Sequence, residues 1–168
     1  LRVIDAIAVG LDLFGKEGCG VAYLGDSKEG IESPFNLKAK KISKVDAPFD
    51  KFKTVFIQGA NPLAQMPDTT RVKSSLKEVK NIVYFGLWEN ESSEVADLVI
   101  PAKSFLEKDD IRTSYAHNTL SIMNKQYDTE IGISEYDLAR ELCESFGVEI
   151  LSQDGYLRHF KNCGVVKM

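Results

Sequence analysis

A chain of 168 residues can form one domain with a hydrophobic core and is short for two. Its 43% hydrophobic and 27% charged residues are those of a globular chain and exclude default disorder. A net charge of −4 gives no electrostatic footing for nucleic acid, and the longest apolar run, residues 82–88, is far below the ~18 residues of a membrane span.

Lys38, Lys40, Lys41 and Lys44 form the one basic cluster, interleaved with apolar residues in what reads as a solvated connector. Asp5 and Asp12 interrupt the apolar N-terminal stretch, which does not suit a secretory signal, so a cytoplasmic location is expected. The first residue is Leu1, and the expectation is a processed chain or a piece of something longer. Cys19, Cys143 and Cys163 are an odd set without a C-x-x-C pair, hence neither a disulfide framework nor a cluster ligand set.

In chain order, Ile4, Ile7, Ala8, Leu11 and Phe14 recur at helical spacing and predict a helix over residues 2–14 with one face turned to a core. Gly15, Gly18 and Gly20 end it, and a strand can start over 21–24. Residues 26–53 form a long connection or insertion, with Pro34 and Pro48 and no steady period. The clear architecture is a βαβαβ unit over residues 54–102. Strands are expected at 54–57, 82–85 and 97–100. Asp68 caps a helix with Val72, Leu76 and Val79 inward, and Asn90 caps a short helix over 91–96. The strands are almost continuously apolar, as expected for burial on both faces. Residues 107–134 are irregular. Ser134, with Asp137 three residues on, caps a helix bearing Leu138, Leu142 and Phe146, and Gly147 stops it. The remaining tail to Met168 allows a strand and a short helix. The fold class is therefore α/β: a single three-layer domain with a mostly parallel sheet flanked by helices.

In such a sheet, ligands bind outside the carboxyl ends of the strands. Gly59-Ala60-Asn61-Pro62 follows the first strand: the glycine admits close backbone approach, and the asparagine offers a donor and an acceptor. Gly86-Leu87-Trp88-Glu89-Asn90-Glu91-Ser92-Ser93 follows the second, where Trp88 can cover a planar ring. Both stretches are also ordinary strand-to-helix turns in composition. Neither has a G-x-G-x-x-G spacing or a phosphate-loop lysine. Glu107, Asp109 and Asp110 can do acid–base work but more often cap turns. His159 and Cys163 lack further metal ligands at useful spacing, and His117 lacks the partners of a triad.

Gly59-Ala60-Asn61-Pro62-Leu63, Pro67-Asp68, Ala96-Asp97-Leu98-Val99-Ile100-Pro101-Ala102 and Glu107, in that order, resemble one module of the molybdopterin oxidoreductases, the DMSO reductase family. Leu106-Glu107-Lys108-Asp109-Asp110 and Ser114-Tyr115-Ala116-His117 further resemble a subgroup of it, with Ala116 in place of a glycine and the acidic residues differently arranged. The helix at the N-terminus with its glycine run, and the helix that ends at Gly147, also resemble that module.

The resemblance implies a molybdopterin guanine dinucleotide cofactor held between two related modules. Gly59, Ala60, Asn61, Gly86, Leu87, Trp88, Asn90 and Ser92 would line the dinucleotide, with Tyr115 and His117 toward the pterin or substrate. It also implies that an iron–sulfur cluster lies elsewhere in a longer polypeptide. The other domains of that polypeptide, together with an electron-transfer subunit, are the partners. The family's cluster cysteines, a recognisable molybdenum ligand and the second module are not found in these residues, so this portion alone would be catalytically incomplete. The alternatives are a stand-alone nucleotide-binding domain and a molybdenum-free structural module of the large subunit of respiratory complex I.

Overall fold

The computed structural model describes residues 2–19, 40–112 and 121–162. After an N-terminal helix α1 (Arg2–Gly10), the chain order is β1 (Thr54–Gln58), α2 (Pro62–Gln65), α3 (Thr69–Lys77), β2 (Asn81–Gly86), α4 (Glu91–Glu94) and β3 (Leu98–Pro101). The three strands form one parallel sheet in the order β1-β2-β3, with Ile57, Tyr84 and Val99 side by side and Phe56, Val83 and Leu98 in the adjacent row. This is an α/β fold with a parallel sheet flanked by helices.

Strand alternation places Val55, Ile57, Ile82 and Tyr84 on the face that meets the helices. There they pack with Leu63 of α2, Val72 and Leu76 of α3, and Val79 in one buried cluster. Val72 and Leu76 are four apart and so share one helical face, and each fully buried side chain of this kind contributes roughly 1.5–3 kcal/mol. Asp68 starts α3 as the sequence predicts, its carboxylate accepting the Arg71 N–H at 3.1 Å. The short helix α2, which begins at Pro62, is an addition to the expected elements. Proline is favoured at a helix start because its missing N–H would have no partner there.

Burial on both faces holds for the central strand β2 but not for its neighbours. Phe85 is 2% exposed, whereas Phe56 on β1 and Leu98 on β3 remain 45% and 52% exposed. Both connections pack on the same face, since α2 touches α4, and Leu63 of the first connection and Val95 and Ala96 of the second pack in one cluster. The opposite sides of the two edge strands are therefore left open.

The flanking segments depart further from expectation. Helix α1 stops at Gly10, and Asp12 follows in a left-handed conformation (φ 55°). Of its apolar stripe only Ala8 is buried, while Ile4, Ile7 and Leu11 face solvent, so the expected core-facing role is not realised. The expected strand over 21–24 lies outside the described residues. Within the stretch expected to be irregular, β4 (Asp110–Arg112) pairs antiparallel with β5 (Ser121–Met123). Three-residue strands are too short to leave an alternating pattern in the sequence.

Helix α5 (Glu135–Ser145) has the expected cap, Ser134 accepting the Asp137 N–H at 3.1 Å, and Gly147 closes it at φ 68°. Its apolar face is not buried: Leu142 is half exposed and Phe146 almost fully so. Helix α6 (Gln153–Asn162) follows, with Tyr156 edge-on to Tyr136 at 6.1 Å. No strand precedes it among the described tail residues. Among the described residues no helix is long and apolar enough to cross a membrane.

Candidate functional site

Parallel pairing of β1 with β2 brings their carboxyl ends to one edge, and the two bends that follow meet there. Gly59 continues the ladder by donating its N–H to the Phe85 carbonyl at 2.9 Å, then turns the chain at φ 55°. This left-handed conformation is where glycine is favoured. Beyond Gly59 and its two chain neighbours, no atom lies within 4 Å of where a Cβ on Gly59 would sit, so the space over this turn is open. Ala60 follows, exposed at the rim, and Asn61 precedes α2 with its N–H donated to the Gln65 side chain at 3.1 Å.

The Asn61 side chain spans the two bends. Its Nδ2 donates to Glu91 Oε2 at 2.7 Å, and its Oδ1 accepts the Ser92 hydroxyl at 2.7 Å. Ser92 is fully buried and its Oγ also accepts the Leu63 N–H at 3.1 Å. The Asn61 amide thus bonds to protein at both ends; among the described residues its second N–H and the second lone pair of Oδ1 take no further partner. The Asn61 amide, followed by the backbone N–H of Glu91 itself, holds the Glu91 carboxyl below its ordinary value.

The second bend rests on Tyr84. Its hydroxyl donates to the Trp88 carbonyl at 3.2 Å and accepts Asn90 Nδ2 at 2.6 Å. Asn90 Oδ1 in turn accepts the Ser92 and Ser93 N–H groups, and Ser93 Oγ accepts the Asn90 N–H, a reciprocal cap for α4. Gly86 is buried at the end of β2, beside Pro101, where the Tyr84 ring lies over it. Leu87 is 49% and Trp88 80% exposed, so a large aromatic side chain on the second bend projects into solvent. Gly59, Ala60, Asn61, Gly86, Leu87, Trp88, Asn90 and Ser92 thus belong to two connected bends. Tyr115 and His117 lie outside the described residues.

Two residues that sequence reasoning did not single out, Glu91 and Tyr84, join the bends or brace them. Glu91 was legible only as the residue after a cap; nothing local couples it to an asparagine thirty positions earlier. The acidic residues considered for acid–base work all have structural partners. Glu107 accepts the Ser104 N–H at 2.7 Å, Asp109 accepts the Lys125 N–H at 2.8 Å, and Asp110 accepts the Ile111 N–H at 2.7 Å. Lys108 is paired with both Asp110 and Glu135. Among the described residues no group of three or more His, Cys, Asp or Glu is placed to hold a metal ion.

Glu107 supports a pH prediction. The Ser104 backbone N–H, then the Ser104 and Thr129 side chains, hold its carboxyl below the ordinary 4.5. A carboxyl depressed in the folded state adds stability that is complete above its unfolded value and is lost as pH falls through the lower folded one. The Glu107 carboxyl is expected to titrate by NMR with a midpoint below 4.5, with the Ser104 amide shift following the same curve. Glu107→Gln should abolish that titration of Ser104, and a midpoint at or above 4.5 would contradict the assignment.

Known proteins share this geometry's sequence frame. Residues 11–144 match the family model described as molybdopterin oxidoreductase, a span that includes the whole three-stranded sheet and both bends. An F420-dependent formate dehydrogenase alpha chain of Methanococcus maripaludis is 27% identical over 99 residues, covering 58% of this chain and 14% of that protein. Its counterpart of the same name in Methanocaldococcus jannaschii is 25% identical over 103 residues, covering 61% of this chain and 15% of that protein. A Halobacterium salinarum protein named for the catalytic component of a dimethyl sulfoxide reductase is 27% identical over 82 residues, 47% of this chain and 10% of that protein. The chain therefore spans only a small part of the length of these relatives. With the family model matched over most of its length, the chain belongs to the molybdopterin oxidoreductase family.

Proposed function

We propose that this chain is a cofactor-binding module of a larger molybdenum oxidoreductase, and that the bends after β1 and β2 hold one guanine dinucleotide arm of a bis-molybdopterin guanine dinucleotide. The observation that carries the reading is the Asn61 side chain bonded to both Ser92 and Glu91, which makes the two bends one rim. The rim fits such a ligand in three respects. The space over Gly59 is open to close approach, Trp88 presents a ring face for stacking on a base, and the Asn61 amide, held in one orientation, offers a donor and an acceptor to the edge of a base or ribose. Neither bend contains Lys or Arg, so phosphate contacts would fall to backbone N–H groups or to other parts of the protein.

When bound, the cofactor supplies the redox-active metal centre; the residues here bind and orient its nucleotide end. In this reading all 168 residues form one α/β domain with its core at 54–102, and other domains of the same polypeptide complete the cofactor site. An iron–sulfur cluster and an electron-transfer partner belong to those other parts. Tyr115 and His117 are assigned to the pterin or substrate side by family resemblance.

One domain supplies only part of the contact energy, so the chain alone should bind weakly. Because Trp88 is the sole tryptophan, its fluorescence reports on the rim directly. Guanosine monophosphate is expected to quench it with a Kd of about 1 mM, equivalent to about −4 kcal/mol. Asn61→Ala should weaken the response several-fold. No quenching at roughly tenfold higher concentration, or tight binding of an unrelated ligand, would overturn the proposal.

A further inference from the structure

We propose that Ser92 and Glu91 are positioning residues that clamp the Asn61 amide from two sides, so that the bend after β1 and the bend after β2 move as one body. Ser92 is buried, and its single hydroxyl is used in both directions: the proton goes to Asn61 Oδ1 and the oxygen accepts the Leu63 N–H. Glu91 takes the other end of the same amide through Nδ2. An asparagine side chain free to rotate about its last torsion has two orientations related by a flip. Here an acceptor faces one end of the amide and a hydroxyl donor faces the other, which selects one orientation. Leu63 is fastened to the same hydroxyl, so the first turn of α2 is tied to the start of α4 as well.

The clamp is a property of the chain without ligand; its consequence for affinity rests on the proposed nucleotide rim. Two measurements keep these apart. The first is native-state amide exchange in the full chain without nucleotide. Ser92→Ala should accelerate exchange of the Leu63 amide by about tenfold, the size expected for losing one buried hydrogen bond. The Val72 and Leu76 amides of α3 should keep their rates, and Ser92→Thr, which retains a hydroxyl, should restore slow exchange at Leu63. Glu91→Ala removes an exposed group and threatens the fold least. It should speed exchange of the Asn61 side-chain amide protons and leave the Leu63 amide unchanged.

The second measurement is guanosine monophosphate affinity in Glu91→Ala, Asn61→Ala and the double variant. A clamp acting through Asn61 predicts that the double variant binds no more weakly than Asn61→Ala alone. Uniform acceleration at every amide, failure of Ser92→Thr to rescue, or unchanged Asn61 side-chain exchange in Glu91→Ala would overturn the clamp. If the exchange pattern appears and no nucleotide binds, the clamp stands and the ligand reading falls.

Discussion

Phe85→Ala is expected to destabilise the chain by about 3–5 kcal/mol, the usual range for emptying a buried phenylalanine site. Phe85 lies on the central strand, is 2% exposed, and packs its ring 6.3 Å from that of Phe56. The loss combines transfer of the ring out of apolar surroundings with the cavity it leaves, because β1 and β3 on either side limit collapse. For a chain of this size the melting temperature should fall by roughly 6–20 °C. Phe85→Leu, which refills most of the volume, should cost less than about half as much. A loss below about 1 kcal/mol in urea or thermal unfolding would mean that this face of β2 is not closely packed. The same strand positions the site, since the Phe85 carbonyl fixes Gly59 at the start of the first bend.

Gly86→Ala is the second large effect, and it acts on the site as well as on stability. A Cβ at Gly86 would stand 2.6 Å from the Tyr84 hydroxyl and 2.7 and 2.8 Å from two of its ring carbons. Tyr84 is 3% exposed and built into the core cluster, so its ring cannot simply swing out. Overpacking of this kind costs about 1–3 kcal/mol. Displacing the ring also strains the hydrogen bonds from its hydroxyl to the Trp88 carbonyl and from Asn90 Nδ2. Gly86→Ala is therefore expected to lower the urea midpoint and to shift Trp88 emission together. Adding Tyr84→Leu should recover part of the stability, by withdrawing the ring, without restoring the emission. An unchanged midpoint and spectrum would show that Tyr84 yields at no cost.

What the sequence made legible was local. The three parallel strands announced themselves as short apolar runs stopped by Gly59, Gly86 and Pro101. The caps Asp68, Asn90 and Ser134 lie within three residues of the N–H groups they accept. Both bends were correctly located at strand ends because that follows from strand polarity alone. The contact between them was not legible. Asn61 and Ser92 stand 31 positions apart, and only the parallel register of β1 with β2 brings them together. Burial was the other limit. The stripe Ile4, Ile7 and Leu11 and the pair Leu142 and Phe146 have core-like spacing, yet each of these residues stays at least 46% exposed. Periodicity shows that a helix has an apolar face and does not supply the surface that covers it.

The structure of the protein with its molybdopterin cofactor bound tests the central claim most directly. The account predicts a guanine nucleotide within hydrogen-bonding reach of the Gly59–Asn61 bend, with its base against Trp88 and the Asn61 amide still joined to Ser92 and Glu91. A nucleotide seated away from both bends, for example against the paired strands β4 and β5, would contradict it.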